Sequence, residues 1–478
     1  MTRRGSLCLV LHSHMPYVEG FGTWPFGEEW LFEAVASVYL PLLDVIDGAP
    51  VTLTITPVLA DQLEALRDGD AHDRFVAFLR DIRALIHRED ADELEGGGEP
   101  ELAAELRRAA GDYTRADVLF GNLGGDLVAA FGRLRAVELW TSAATHAVLP
   151  LLATRVGTAL QIAAGIDSHA RRFGGFGGGF WLPECAYRPW LDNDLAEQAV
   201  RVFCVDQTVA LGSGSLDQLE PVRTPEGVIA VPIDWETIRL VWDLDSGYPA
   251  AAGYRDYHRK TRYELKPWNV GGGPYRRDEA LALARRHARE FVAAVAGRLD
   301  AHAGARDGEG LVCCALDTEL LGHWWYEGQA WLAAVIAEAH AAGVALRTVS
   351  DALARIEPVE RPLAASSWGK SKDFSTWDSP AVADIAFAQR RSELAVIAAA
   401  TRFGPSPRLE RAARELLALQ SSDWAFQVSH AQAGPYPMDR VREHASTVGA
   451  ALGGRDGPAE PRLRSLLPHL DLSPLVLP

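Results

Sequence analysis

Two segments of this chain concentrate residue types that can do acid–base and nucleophilic chemistry. In the first, the apolar run Leu311–Leu316 ends in Asp317, and Glu319, His323, Trp324 and Trp325 follow at once. In the second, GFWLPECAYRPW at 179–190, Glu184 follows a short apolar run with Trp181, Tyr187 and Trp190 nearby. Two carboxylates flanking one glycosidic bond are the minimum apparatus for its cleavage, with retention or inversion. One must stay ionised, and the other must hold a proton, which burial or a neighbouring negative charge achieves. Indole faces add stacking platforms for pyranose rings. Taken alone, either segment also reads as a strand end with a satisfied acid and core tryptophans.

Other reactive residues fall at the ends of apolar runs. His12 and His14 follow Leu7–Leu11, Glu138 and His146 lie around the strand-like run at 137–141, and Asp206 follows Val202–Val205. Two histidines at i and i+2 point the same way on a strand. With Asp206 or Asp317 they could hold a metal, as in a deacetylase- or mannosidase-like site. For Asp206 and Glu138, a bond to a neighbouring loop is the competing reading.

These residues must be positioned by strands that alternate with helical patterns, the signature of a parallel sheet or barrel. Strands are expected at Leu7–Leu11, Val51–Thr56, Val137–Thr141, Phe180–Leu182, Val202–Val205, Val228–Pro232, Ile238–Trp242, Leu311–Leu316 and Val344–Thr348. Helices are expected at about 58–67, 278–299 and 328–342. Residues 68–133 read as a helical excursion with a glycine break at 96–98. The glycine-rich stretch 174–179 lacks dinucleotide spacing and reads as a loop. After about 380 the strands stop, with helices at 380–402, 406–420 and 437–451. This predicts a catalytic barrel over 1–375 and an α-helical C-terminal domain with an irregular tail over 376–478. In such a barrel, catalytic groups sit at the C-terminal strand ends.

With 478 residues, a net charge of -17, 14 Trp and five Cys, the composition narrows the partners. The acidic balance argues against nucleic acid or anionic membrane, because both need basic surfaces. A neutral polymer such as a glucan is compatible. The cysteines show no zinc spacing and no paired framework, which suits buried thiols in a reducing cytoplasm. The run Leu7–Leu11 is too short for a signal-peptide core. No apolar stretch approaches the ~18 residues of a transmembrane helix.

Five segments, in order, resemble the motif regions of glycoside hydrolase family 57: HSHMP (12–16), ELWTSAATH (138–146), WLPECAYRP (181–189), LDTELLGHWWYEG (316–328) and SSWGKSKDFSTW (366–377). WPFGEEWLFEA (24–34), VWDLDSGYP (241–249) and SDWAF (422–426) are similar to its α-1,4-glucan branching enzymes. The resemblance spans essentially the whole chain. It implies an α/β fold, a (β/α)7 barrel, acting on α-glucan by a retaining double displacement without metal or cofactor. It implies Glu184 as nucleophile and Asp317 as acid/base. His12, His14 and His146 would ring the cleaved sugar, and Trp24, Trp268, Trp368 and Trp377 would line the glucan groove. His323 and Asp206 would also contact substrate. Trp424 reads as packing, and Lys372 and Asp373 as loop charges. The implied reaction transfers a cleaved α-1,4 chain to a 6-hydroxyl. An α-1,4-glucan hydrolase or 4-α-glucanotransferase on the same scaffold is the alternative. The chain departs from the pattern at Thr208–Glu220, where the family's branching enzymes carry a Tyr-bearing mobile loop and this sequence is short, with no aromatic. The small domain often inserted between Glu184 and Asp206 also reads as reduced.

Overall fold

The computed structural model describes residues 5–243, 245–454, 463 and 465–476. Its strands are β1 (Ser6–Ser13), β2 (Thr52–Ile55), β3 (Glu138–Ser142), β4 (Gly179–Trp181), β5 (Val202–Val205), β6 (Val222–Arg223), β7 (Ile229–Pro232), β8 (Leu311–Asp317), β9 (Ala345–Leu346) and β10 (Val359–Glu360). Seven of them run parallel in the order β7-β5-β4-β3-β2-β1-β8. Just past β7, the Asp234 amide donates to the Cys313 carbonyl of β8 at 2.8 Å, tying the two edges together. The result is a (β/α)7 barrel. Most strand residues, polar ones such as Thr52, Thr54 and Thr141 included, are buried, because helices cover one face and the barrel interior the other. All eight residues of β1 are buried. Strands β6 and β10 form a small ribbon beside β7.

Between β2 and β3 the chain leaves the barrel through the helices Pro57–Ala65, Gly69–Ala77, Arg83–Gly96, Pro100–Asn122 and Leu127–Gly132. The chain reverses at Gly97–Glu99, where Gly98 takes a positive φ of 84° that suits a residue without Cβ. After the barrel come the helices Ala383–Phe403, Pro407–Leu419, Ser422–Ser429 and Tyr436–Leu452. Pro407–Leu419 shows why this region is helical. Ser406 caps it by accepting from the Leu409 amide at 3.2 Å. Leu409, Ala412, Ala413, Leu416 and Leu417 then recur on one buried face.

Three sequence expectations change. Ile238–Trp242 is not a strand but the second half of a helix, Trp235–Trp242, with Thr237, Ile238 and Val241 buried at helical spacing. The expected strand at Val344–Thr348 shrinks to Ala345–Leu346, a two-residue pairing with β1. The SDWAF motif opens a further helix, Ser422–Ser429, outside the three helices expected after 380. All five cysteines are free and buried. Among the described residues no helix is long and apolar enough to cross a membrane.

Candidate active site

The C-terminal ends of the parallel strands bring the reactive residues together. His12 pairs in register with Asp317 on the adjacent strand, so β1 and β8 present them at one level. Glu184 lies in the turn after β4 with φ of 62°, Cys185 follows at 48°, and His146 after β3 has 61°. Left-handed backbone at residues other than glycine costs on the order of 1–3 kcal/mol each and persists only where surroundings enforce it. Trp368 enforces it at Glu184 twice. Its amide donates to the Glu184 carbonyl at 2.9 Å, and its indole Nε1–H donates to Glu184 Oε2 at 2.9 Å.

A chain of hydrogen bonds fixes the histidine tautomers. The Ser422 hydroxyl donates to Glu184 Oε1 at 2.7 Å, so its oxygen accepts from His146 Nδ1–H at 2.9 Å. His146 Nε2 is then an acceptor, and His12 Nε2–H donates to it at 2.9 Å. Burial holds both imidazoles neutral by pushing their pKa values well below the usual range, which this relay requires. His12 Nδ1 is left as an acceptor with no protein partner. Trp181 stacks on the His12 ring at 4.7 Å, and His14 stacks on His146 at 4.0 Å.

His14 differs from these two. Burial opposes its protonation, but Asp423 Oδ2 lies 2.9 Å from Nε2, and Asp423, Glu319 and Glu184 together raise its pKa. The Asp423 carboxyl is itself pressed upward by burial and carried down to about 2 by His14. The pair is therefore an imidazolium–carboxylate. Nδ1 of His14 donates to Thr56 Oγ1 at 3.1 Å.

The carboxyl groups are separated electrostatically. Burial lifts Asp317 well above its usual range, and the charges of Glu319, Glu184 and Asp423 add to the lift. Burial also lifts Glu184, to about 7, but the bonds from Trp368 and Ser422 oppose it. The two differ in that hydrogen-bond donors favour the charged form of Glu184, whereas every cause acting on Asp317 favours its protonated form. Glu319 is raised by burial to about 7. It accepts from the Tyr39 hydroxyl and, at 3.1 Å, from the His14 amide.

The remaining sequence candidates scatter. Trp24 is 60% exposed and lines, with His323, a cleft of about 790 Å³ between the helical excursion and the barrel. Trp268 is only 9% exposed, with the Arg259 guanidinium 4.2 Å over its ring. Trp377 is 4% exposed and packs with Trp424 in an interior cluster. Neither presents an open platform in this structure, in contrast to the expectation. Trp424 is packing, as expected, with its Nε1–H bonded to the Ala418 carbonyl at 2.9 Å. Asp206 is wholly buried in an ion pair of 2.9 Å with Lys372, so it faces protein rather than a groove. Lys372 is thereby no ordinary loop charge. Its ammonium also sits 3.0 Å over the Trp235 ring. Glu138 stands at the start of β3, the opposite barrel end, bonded to Thr52 and Ser350.

Residues 131–364 match the family model for glycosyl hydrolase family 57, and residues 389–452 match that for the C-terminal region of 1,4-alpha-glucan branching enzymes. A probable 1,4-alpha-glucan branching enzyme of Mycobacterium tuberculosis is 34% identical over 94% of this chain and 93% of its own. A 1,4-alpha-glucan branching enzyme of Thermococcus kodakarensis is 32% identical over 92% of this chain and 72% of its own. The chain belongs to glycosyl hydrolase family 57. The crystal structure of a branching enzyme of this type from Pyrococcus horikoshii superposes with a TM-score of 0.90 at 29% identity, covering 99% of this chain and 97% of that one.

For a family 57 chain, the residue set missing from the sequence reading is Ser422 and Asp423. They arrive from the helical region more than 230 positions beyond Glu184, and although they open the SDWAF motif, nothing in the sequence assigns either a partner in the site. His14, His146 and Asp423 are of metal-ligand type and lie close together. Their geometry suits the ion pair instead. The two rings are stacked at 4.0 Å with 20° between their planes, so an ion held between their nitrogens would lie well out of both ring planes. Both nitrogens of each ring are already bonded.

Proposed function

We propose that this chain is a 1,4-α-glucan branching enzyme working by a retaining double displacement. The observation that carries the reading is the pairing of a hydrogen-bonded, ionisable Glu184 with a proton-retaining Asp317. It stands in a family 57 barrel whose curated relatives bear that name. Asp317 gives its proton to the glycosidic oxygen while Glu184 attacks the anomeric carbon. The cleaved chain is then held as a glycosyl ester on Glu184. Asp317, now a carboxylate, takes the proton of an acceptor 6-hydroxyl as that oxygen attacks the same carbon and releases Glu184. Two inversions give retention and an α-1,6 branch.

His12 Nδ1, the unspent acceptor of the relay, is assigned to a sugar hydroxyl. The boundary near 375 is read as the division between barrel and helical domain. The five unpaired buried thiols suit a reducing cytoplasm. Incubation with amylose, followed by proton NMR of the product, tests the reading. α-1,6 linkages should accumulate, and a product with new reducing ends and no branches would replace transfer by hydrolysis.

That second reading, an α-1,4-glucan hydrolase, is favoured by one feature. The segment expected to carry an aromatic lid forms a short helix at Thr208–Leu211 and is then pinned. Arg298 donates to the Gly214 carbonyl at 2.6 Å and to the Ser215 carbonyl at 3.1 Å.

A further inference from the structure

The cleft between the helical excursion and the barrel carries a charge that a neutral glucan does not need. Trp24 and Tyr257 offer it aromatic faces, and the ammonium of Lys266 stands 3.9 Å from the Tyr257 ring centroid. Three of the four carboxylates lining the same cleft, Glu33, Asp112 and Glu264, have cationic partners of their own, and Glu29 lies in the field of Arg83. Glu33 is bound by Arg83 at 2.8 Å and by the Tyr113 hydroxyl at 2.8 Å, and Glu264 by Lys260 at 3.1 Å. Among the described residues no carboxylate forms an ion pair with Lys266. His323 records the resulting field: burial first, then Lys266, Lys260 and Arg83, push its pKa down to about 3. An unpaired ammonium in a recess forfeits hydration that a neutral sugar hydroxyl restores only in part. In a chain of net charge -17, a local cationic recess is set against the general trend.

We propose that this cleft binds an α-glucan chain bearing an anionic substituent, a carboxylate or a phosphoryl ester, with the anion on Lys266 and neighbouring sugar rings on Trp24 and Tyr257. The inference rests on the glucan-active reading above and names the class of glucan.

The test uses full-length protein carrying Glu184→Gln, so that ligands are bound and not consumed. Calorimetric titration compares maltoheptaose, the aldonate obtained by oxidising its reducing end, and maltoheptaose carrying a 6-phosphate. At least one charged ligand should bind about tenfold more tightly than maltoheptaose, the worth of one charge-assisted bond. Preference for the aldonate would place the anion at a chain end, and preference for the phosphate would place it on an internal sugar. The preference should shrink as ionic strength rises from about 0.01 M to about 1 M. It should vanish in a Lys266→Met second variant, which keeps the aliphatic stem over Tyr257. Equal affinity for all three ligands, or a preference that survives Lys266→Met, overturns the inference while leaving the branching reading intact. Failure of the wild-type chain to act on amylose, with no binding of any of the three, overturns both.

Discussion

Glu184 is held by two donors, and each should be visible in kinetics. Glu184→Gln and Asp317→Asn each remove a group that forms or protonates a bond, so kcat should fall at least about a thousandfold, measured on amylose, with the fold retained by circular dichroism. The acid limb of kcat/KM should lie near 7, where burial has moved Glu184, well above an ordinary carboxylate. The indole N–H of Trp368 stabilises the charged form. In Trp368→Phe the Glu184 pKa should therefore rise further and the acid limb move to higher pH. An unmoved limb would assign it to another group. Stability responds oppositely to catalysis. Because the folded-state pKa is raised, the contribution of Glu184 is full below the unfolded value of ~4.3 and is lost as pH rises through about 7. Glu184→Gln should be more stable than the wild type at pH 8, by about 4 kcal/mol, and no more stable at pH 4. Denaturant titration at the two pH values checks this.

The elements show which parts of the site were legible in sequence. The strands that carry His12, Glu184 and Asp317 are short apolar runs ending in reactive residues, and a parallel barrel leaves little else for such runs to be. Ile238–Trp242 has the same composition. Only its surroundings make it helical, since a five-residue apolar stretch fits either period. Trp268 and Trp377 were misplaced because an indole in a polar stretch of sequence does not reveal whether its face is covered, here by Arg259 in one case. The lid segment has a sharper consequence. Tyr248 cannot shield the glycosyl-enzyme, being stacked on His287 at 4.4 Å in the core. Trp242 is partly exposed and meets Trp324, itself 40% exposed, edge-on at 6.2 Å. If this pair takes the lid's place in excluding water, Trp242→Ala should raise the ratio of reducing ends to α-1,6 bonds severalfold with little change in total cleavage. Replacing 208–220 by a Tyr-bearing loop should lower that ratio. An unchanged ratio in both variants would remove this rim from the account of water exclusion.

At the scale of the whole molecule, the helical region after the barrel contributes side chains to the candidate active site. Glu393 accepts from the Ala153 amide at 3.1 Å and from Gln420 at 3.0 Å, and Gln420 also accepts from Gln161 at 2.9 Å. These contacts seat the helix that presents Ser422 to Glu184 and Asp423 to His14. The ion pair across this junction makes a prediction with a sign. The His14 pKa is raised, so its part of the stability is full below the unfolded value of ~6.5 and is lost as pH rises through the folded value. Asp423 is lowered, so its part is present above ~3.9 and is lost as pH falls through about 2. Both hold together between about pH 4 and 6.5. Asp423→Asn should accordingly lower the melting temperature most near pH 5.5 and much less once pH has risen through the folded value of His14, where that imidazole is neutral in the wild type as well. It should also reduce kcat by about a hundredfold or more, since His14 loses its charge beside Glu184. Exhaustive chelation of the wild type should leave both activity and melting temperature unchanged. Equal melting losses on the two sides of the folded His14 value would mean that Asp423 acts only by packing. Activity lost on chelation and restored by zinc would make His14, His146 and Asp423 metal ligands instead of an ion pair and its neighbour.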